Sequence, residues 1–161
     1  MSRRAEILRL GTRCLLKGKP GPDASLSERR RRAIIIERLV PNPPPGIKRT
    51  AVDAGGVAAE WVISPVSLPD RHILYRHGGG YVLGSPSLYR HLTWRLATAA
   101  CACLLAADYR LAPEYPFPAA LDDAMAVYEW LLMSGGRPAQ GHLNRRLGGR
   151  RARPRLAAAL P

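Results

Sequence analysis

The apolar positions of this sequence change period several times, and each change predicts a new element. Ala5, Ile7, Leu8 and Leu10 suit a short amphipathic helix, which Gly18-Lys19-Pro20-Gly21-Pro22 ends. Ser27 is placed to cap a second helix, with Arg29 to Arg32 on its wet face and Ala33 to Leu39 closing it. Pro41-Asn42-Pro43-Pro44-Pro45-Gly46 makes a linker or hard turn. Ala58 to Ser64 reads as a strand that Ser64-Pro65 stops, and Arg71 to Arg76 as another, centred on Ile73, Leu74 and Tyr75. Leu88, Leu92, Leu96 and Ala99 recur at helical spacing from about Ser87. Cys103-Leu104-Leu105-Ala106-Ala107 is an unbroken apolar run that suits a buried parallel strand, and a last helix is expected from Pro118 to Leu132. Strand, helix, strand, helix in that order predicts an α/β fold on a parallel-rich sheet. Three regions follow: an N-terminal helical segment and proline-rich linker over 1–47, a globular region over 48–133, and a tail over 134–161. The tail is Arg, Gly, Ala and Pro without a period and reads as disordered.

Composition narrows this picture. A chain of 161 residues is about one domain and can bury a core without disulfides or a structural metal. Its 47% of hydrophobic residues excludes a wholly disordered chain. Apolar runs such as Ala97 to Ala107 fall short of the ~20 residues of a membrane span. Glu6 and Arg9 interrupt any secretory h-region. Cys14, Cys101 and Cys103 are too few and too scattered for a disulfide framework or a zinc site, so a reducing, cytoplasmic setting is expected, with no metal and no cofactor.

The charge is uneven. The net is +13, yet Arg137, Arg145, Arg146, Arg150, Arg151, Arg153 and Arg155 stand in the tail with no acidic residue beside them. The first 133 residues hold 18 basic against 12 acidic side chains. A basic tail can bind nucleic acid or another acidic partner. The globular region offers no stacking platform of aromatics interleaved with arginines, which argues against nucleic acid as the partner.

The chemistry sits in two segments. His77-Gly78-Gly79-Gly80 follows a strand and precedes a helix. Glycines there allow φ > 0 and leave no Cβ in the way, so backbone N–H groups can be aimed at one point. Amides of Gly78 and Gly79 then suit an oxyanion formed when an ester carbonyl is attacked; one such donor is worth about 3 kcal/mol in the transition state. A plain glycine turn or a phosphate loop is the blander reading of the same residues. His77 reads as a brace for the loop rather than a base or metal ligand, because no second histidine stands at ligand spacing. Downstream come Asp108-Tyr109-Arg110-Leu111-Ala112-Pro113-Glu114, Pro118-Ala119-Ala120 and Asp122-Asp123. Arg110 and Glu114 are expected to pair across this proline-stiffened turn.

Together the two segments resemble the α/β-hydrolase fold, and within it the hormone-sensitive-lipase-like carboxylesterases. Ile73 to Ser85 resembles that family's oxyanion segment, and Asp108 to Asp123 the segment after its next strand. The resemblance covers about Val52 to Leu132, and the two motifs stand at the family's separation. Arg76 departs from it, where the family usually has an apolar or aromatic residue. The resemblance implies an incomplete α/β-hydrolase fold, the N-terminal half of the sheet with flanking helices, and assigns the N-terminal helices to part of a cap. It implies a small-molecule ester as substrate, Gly78 and Gly79 as oxyanion donors, Gly80 as a spacer and His77 as the loop brace.

The family's Ser–His–Asp/Glu triad has its serine in a Gly-Asp-Ser-Ala-Gly-Gly elbow, a G-x-S-x-G pattern a dozen or so residues after the equivalent of Leu132. This chain has no G-x-S-x-G and no serine after Ser134, so it is expected to be inactive as it stands. Where the elbow belongs stand Arg145-Arg146-Leu147-Gly148-Gly149-Arg150-Arg151. One allowed codon choice for them, CGG CGA CTC GGC GGG CGG CGC, reads Gly-Asp-Ser-Ala-Gly-Gly when the first base is dropped. Gln140 to Asn144 shift in the same way to Lys-Val-Thr-Ser-Thr, a fair strand into the elbow. A frameshift between about Met133 and Gln140 would explain the basic tail, the loss of acids after Glu129, the missing serine and the early stop. Two other readings fit the same residues: binding of nucleic acid or an acidic partner through the tail, and a pseudo-enzyme that binds esters without turnover.

Overall fold

A computed structural model describes residues 24–135 of the chain. The helix expected near Ala5 to Leu10, the break at 18–22 and the tail beyond residue 135 lie outside the described residues. Within them the order is α1 (Leu26–Leu39), β1 (Lys48–Asp53), β2 (Ala58–Ile63), β3 (Leu68–Arg76), α2 (Arg90–Ala99), β4 (Ala102–Ala107) and α3 (Ala119–Met133). The four strands form one sheet in the order β1-β2-β4-β3.

The sheet is mixed. β3 and β4 run parallel, joined by the crossover through α2, while β1 pairs antiparallel with β2 and β2 antiparallel with β4. The parallel expectation therefore holds for one pair of neighbours only. β1 has no counterpart in the sequence reading, because Lys48-Arg49-Thr50-Ala51-Val52-Asp53 offers little apolar alternation. The register makes the strand: Arg49 and Glu60 form an ion pair across it, at 2.6 Å. A tight turn at Gly55 and Gly56, both with positive φ, closes the hairpin.

β4 is central and every residue of it is buried, which accounts for its unbroken apolar run. Its alternate residues enter two cores. Cys103, Leu105 and Ala107 join Ala59 and Trp61 of β2 and Val127 and Leu131 of α3 on one face. Leu104 and Ala106 join Val62 and Ala97 of α2 on the other. Helices thus cover both faces of the sheet, the three-layer arrangement of an α/β domain.

Three expectations are corrected. The cap of α1 is Ser25, not Ser27: the Ser25 hydroxyl accepts from the Glu28 amide while the Glu28 carboxylate accepts from the Ser25 amide, a capping box. Helix α2 begins at Arg90 and buries Thr93 and Ala97 rather than the leucine series; the intervening 81–89 segment forms turns instead. β3 starts three residues earlier than Arg71, with an irregularity between Leu68 and His72.

Candidate active site

β3 delivers His77 to the C-terminal end of the sheet, where ligands of open α/β sheets bind. His77 is buried and stacks on Tyr109, which follows β4: the ring centroids are 4.2 Å apart and the planes nearly parallel. The Tyr109 hydroxyl donates to the His77 carbonyl at 2.6 Å. With that proton committed, the His77 Nδ1–H donates to the Gly78 carbonyl at 3.0 Å. Nε2 is buried and has no hydrogen-bond partner among the described residues. His77 is thus fixed on two sides by neighbours in the loop and the adjacent strand end.

The glycines differ in what they tolerate. A Cβ on Gly79, where φ is 128°, would lie 1.9 Å from the Leu83 carbonyl oxygen. The Gly79 carbonyl in turn accepts from the amides of Val82 and Leu83, so the loop closes on itself at this residue. A Cβ on Gly84, φ 116°, would strike both His77 Nδ1 and the Gly78 carbonyl. Gly80 has φ 64° but faces open space. Tyr81, the next residue, also holds a left-handed φ of 64° and presents its carbonyl to the Ala112 amide at 2.8 Å.

Gly78, Gly79 and Gly80 line a cavity of about 480 Å³, with Tyr75, Arg76, His77, Tyr81, Tyr109 and Ala120 also on its wall. The Tyr109 hydroxyl is held above its ordinary range, chiefly by burial. Asp108 at the same strand end is also pushed up, first by crowding that strips its water, against an attraction from His77. In both groups burial disfavours the charged form. A second cavity of about 380 Å³ lies on the α1 side of the loop, between Ala33, Ile34, Leu83, Leu88 and Leu111. Among the described residues no group of three or more His, Cys, Asp or Glu could hold a metal. No helix among them is long and apolar enough to cross a membrane.

The expected Arg110–Glu114 pair does not form. Arg110 turns to Asp123 on α3, at 2.9 Å, and its own backbone amide donates to the same carboxylate. Asp123 is 1% exposed, so the buried carboxylate outcompetes the exposed Glu114 for the guanidinium. Glu114 takes Arg30 of α1 instead. Arg30, read in the sequence as part of a wet face, is the site residue that sequence reasoning missed. Its neighbours in the Arg29 to Arg32 run look identical in one dimension, and no local signal separates them.

Comparison with known proteins bears on the fold. The model of a family with the α/β-hydrolase fold matches residues 73–151. An acetyl-hydrolase of Streptomyces hygroscopicus is 50% identical over 95 residues, which are 59% of this chain and 30% of that protein. Esterase LipI of Mycobacterium tuberculosis is 32% identical over 118 residues, 70% of this chain and 37% of its own. An esterase of the bacterial hormone-sensitive lipase family, solved by crystallography, superposes with a TM-score of 0.71 at 36% identity, over 86% of this chain and 46% of that one. The chain thus spans a third or so of these curated relatives and just under half of the solved structure. Over its described residues the chain has the α/β-hydrolase fold in part, as esterases of the hormone-sensitive lipase family build it.

Proposed function

We propose that this polypeptide carries the oxyanion-binding part of a serine carboxylesterase acting on small esters. The observation that carries the reading is Gly79. Its φ and the 1.9 Å clearance to the Leu83 carbonyl admit no side chain, at the end of a strand and on the wall of a cavity. A tight turn alone also calls for such a glycine; its place beside Gly78 on the cavity wall, directly after His77, is what favours the oxyanion reading. In this reading the Gly78 and Gly79 amides receive the negative oxygen of the tetrahedral intermediate, Gly80 leaves room for the substrate, and His77 holds the loop. The relatives named above, esterases and an acetyl-hydrolase, support esters as the substrate class.

The nucleophile is the missing part. The 161 residues contain no G-x-S-x-G. Without it, an oxyanion hole and binding site give at most a ~10³–10⁴-fold rate gain over water, so the chain as given is inactive on a preparative scale. We further propose that Arg145 to Arg151 are the elbow read in the wrong frame, since one base shift turns them into Gly-Asp-Ser-Ala-Gly-Gly.

The test is expression from the coding DNA with its frame restored near Met133 to Gln140, followed by assay on p-nitrophenyl acetate and butyrate. Turnover by the restored protein, lost when the elbow serine is replaced by alanine, supports the reading. A folded restored protein that binds neither ester and hydrolyses neither overturns it.

A further inference from the structure

We infer that Arg30 is a positioning residue that holds the 79–84 loop in shape from α1; the inference rests on the oxyanion reading of that loop. None of α1's residues is buried, so packing does little to hold the helix. Its attachment is polar, and Arg30 carries most of it. Arg30 Nε donates to the Val82 carbonyl at 2.7 Å, and Nη2 to the Ala112 carbonyl at 2.6 Å. Nη1 and Nη2 also donate to the two Glu114 carboxylate oxygens at 2.5 and 2.9 Å. One planar guanidinium thus joins three segments: α1, the loop after β3 and the loop after β4.

The placement of these bonds matters more than their number. The two loops meet directly where the Ala112 amide donates to the Tyr81 carbonyl. Arg30 grips the carbonyl next to that bond on each side, Val82 on one loop and Ala112 on the other. Between them Tyr81 keeps its φ of 64°, a conformation a bulky residue holds only when its surroundings over-determine it. Gly79 and Gly80 stand just before Tyr81, and the turn that seats Gly79 closes through the Val82 and Leu83 amides. Release of Val82 therefore loosens the turn that aims the glycine amides. A lysine cannot replace the fork, because a single ammonium on a flexible stem cannot serve two fixed carbonyls and a carboxylate at once.

The other links of α1 are separate. Glu37 accepts from the Ser85 hydroxyl at 2.7 Å, and the Glu37 carbonyl accepts from Arg90. These tie the C-terminal half of the helix to the far end of the loop, so loss of Arg30 alone leaves α1 tethered.

The test is backbone amide exchange at neutral pH on the 161-residue chain and its Arg30→Ala and Arg30→Lys variants. In Arg30→Ala the amides of Val82, Leu83 and Ala112 should exchange about tenfold faster or more, while Ala54 and Val57 in the β1–β2 turn keep their rates. Arg30→Lys should recover only a minor part of the lost protection. Glu114→Gln, which leaves both carbonyl bonds of Arg30 in place, should keep the loop close to wild-type rates. If α1 loses protection while Val82, Leu83 and Ala112 do not, Arg30 is merely a helix anchor and the inference fails. If Ala54 and Val57 accelerate equally, the effect is global destabilisation and the inference also fails. The exchange readout involves no ester, so its failure is distinct from failure of the hydrolysis assay above.

Discussion

Tyr109 bonds to His77 twice over: its hydroxyl donates to the His77 carbonyl at 2.6 Å while its ring lies flat against the imidazole at 4.2 Å. The two residues end neighbouring parallel strands, so this one contact fixes the start of the glycine loop against β4. Tyr109→Phe keeps the stack and leaves the buried carbonyl of His77 unpaired. It should cost about 1–2 kcal/mol in chemical denaturation. Tyr109→Ala removes the ring as well and should cost about 3–5 kcal/mol. Equal costs for the two variants would mean that the hydrogen bond carries the whole contact.

Gly79 and Gly80 should respond very differently to alanine. At Gly80 the added Cβ enters open space, so only the left-handed backbone is penalised, by about 1–2 kcal/mol. At Gly79 the Cβ meets a backbone oxygen that cannot yield without opening the turn. In the frame-restored protein, Gly79→Ala should therefore lower kcat by about 10²–10³-fold, the usual loss of an oxyanion donor. A Gly79→Ala variant with wild-type kcat would remove the loop from the mechanism.

The Arg110–Asp123 pair should be the most sensitive ion pair in the described residues. The Asp123 carboxylate is buried and accepts from both the Arg110 amide and its guanidinium, while the arginine is part-exposed. Asp123→Ala should destabilise by about 3 kcal/mol, the low end for a broken buried pair because solvent reaches Arg110. Arg30→Ala, at a more exposed pair, should change global stability far less. Thermal melts of the two variants side by side check the ranking.

The Arg30–Glu114 pair should depend on acid. Glu114 is held below its ordinary carboxylate value of 4.5, first by hydrogen bonds from Arg30 and then by its own backbone amide. A lowered folded value means that the pair contributes fully above the ordinary value and is lost as pH falls through the lowered one. The Arg30 Nε–H signal in NMR, followed from about pH 6 down to about pH 3, should shift with an apparent midpoint below the ordinary carboxylate range. Glu114→Gln should abolish that step. A midpoint at or above the ordinary value would contradict the pairing.

Helix α3 presents Leu121, Met125, Tyr128 and Leu132 to solvent at spacings of four, three and four, with Phe117 86% exposed just before it. Ala126 and Trp130 face the β1–β2 side of the sheet, at Gly55 and Trp61, and the stripe lies on the other side of the helix. An exposed apolar stripe of this kind favours self-association. Met125→Glu together with Leu132→Lys should raise the soluble yield of the 161-residue chain with little change in melting temperature. A fully soluble, monomeric parent chain by sedimentation would remove the need for such rescue.

Much of the fold was legible in the sequence because burial wrote it there. Residues Ala102 to Ala107 are apolar on both faces, and Ala58 to Ile63 are apolar apart from Glu60, so both strands are readable without a structure. β1 is not, since Arg49 and Glu60 hold it by pairing across the hairpin rather than by apolar alternation. The glycine loop was readable from its composition and its place after a strand. Its supports were not. Arg110 chooses Asp123 over Glu114, and Glu114 chooses Arg30, across separations of 13 and 84 residues. Such choices depend on burial and on which helix end comes near, and neither is a property of local sequence.

The most direct test of the central claim is to sequence the coding DNA from the Leu132 codon to several hundred bases downstream and to read all three frames. The expected result is Gly-Asp-Ser-Ala-Gly-Gly in the frame one base on, aligned with Arg145 to Arg151, with an Asp and a His further along the same frame. If no frame contains a G-x-S-x-G in that stretch, the oxyanion loop has no nucleophile to serve, and the esterase reading of this chain is contradicted.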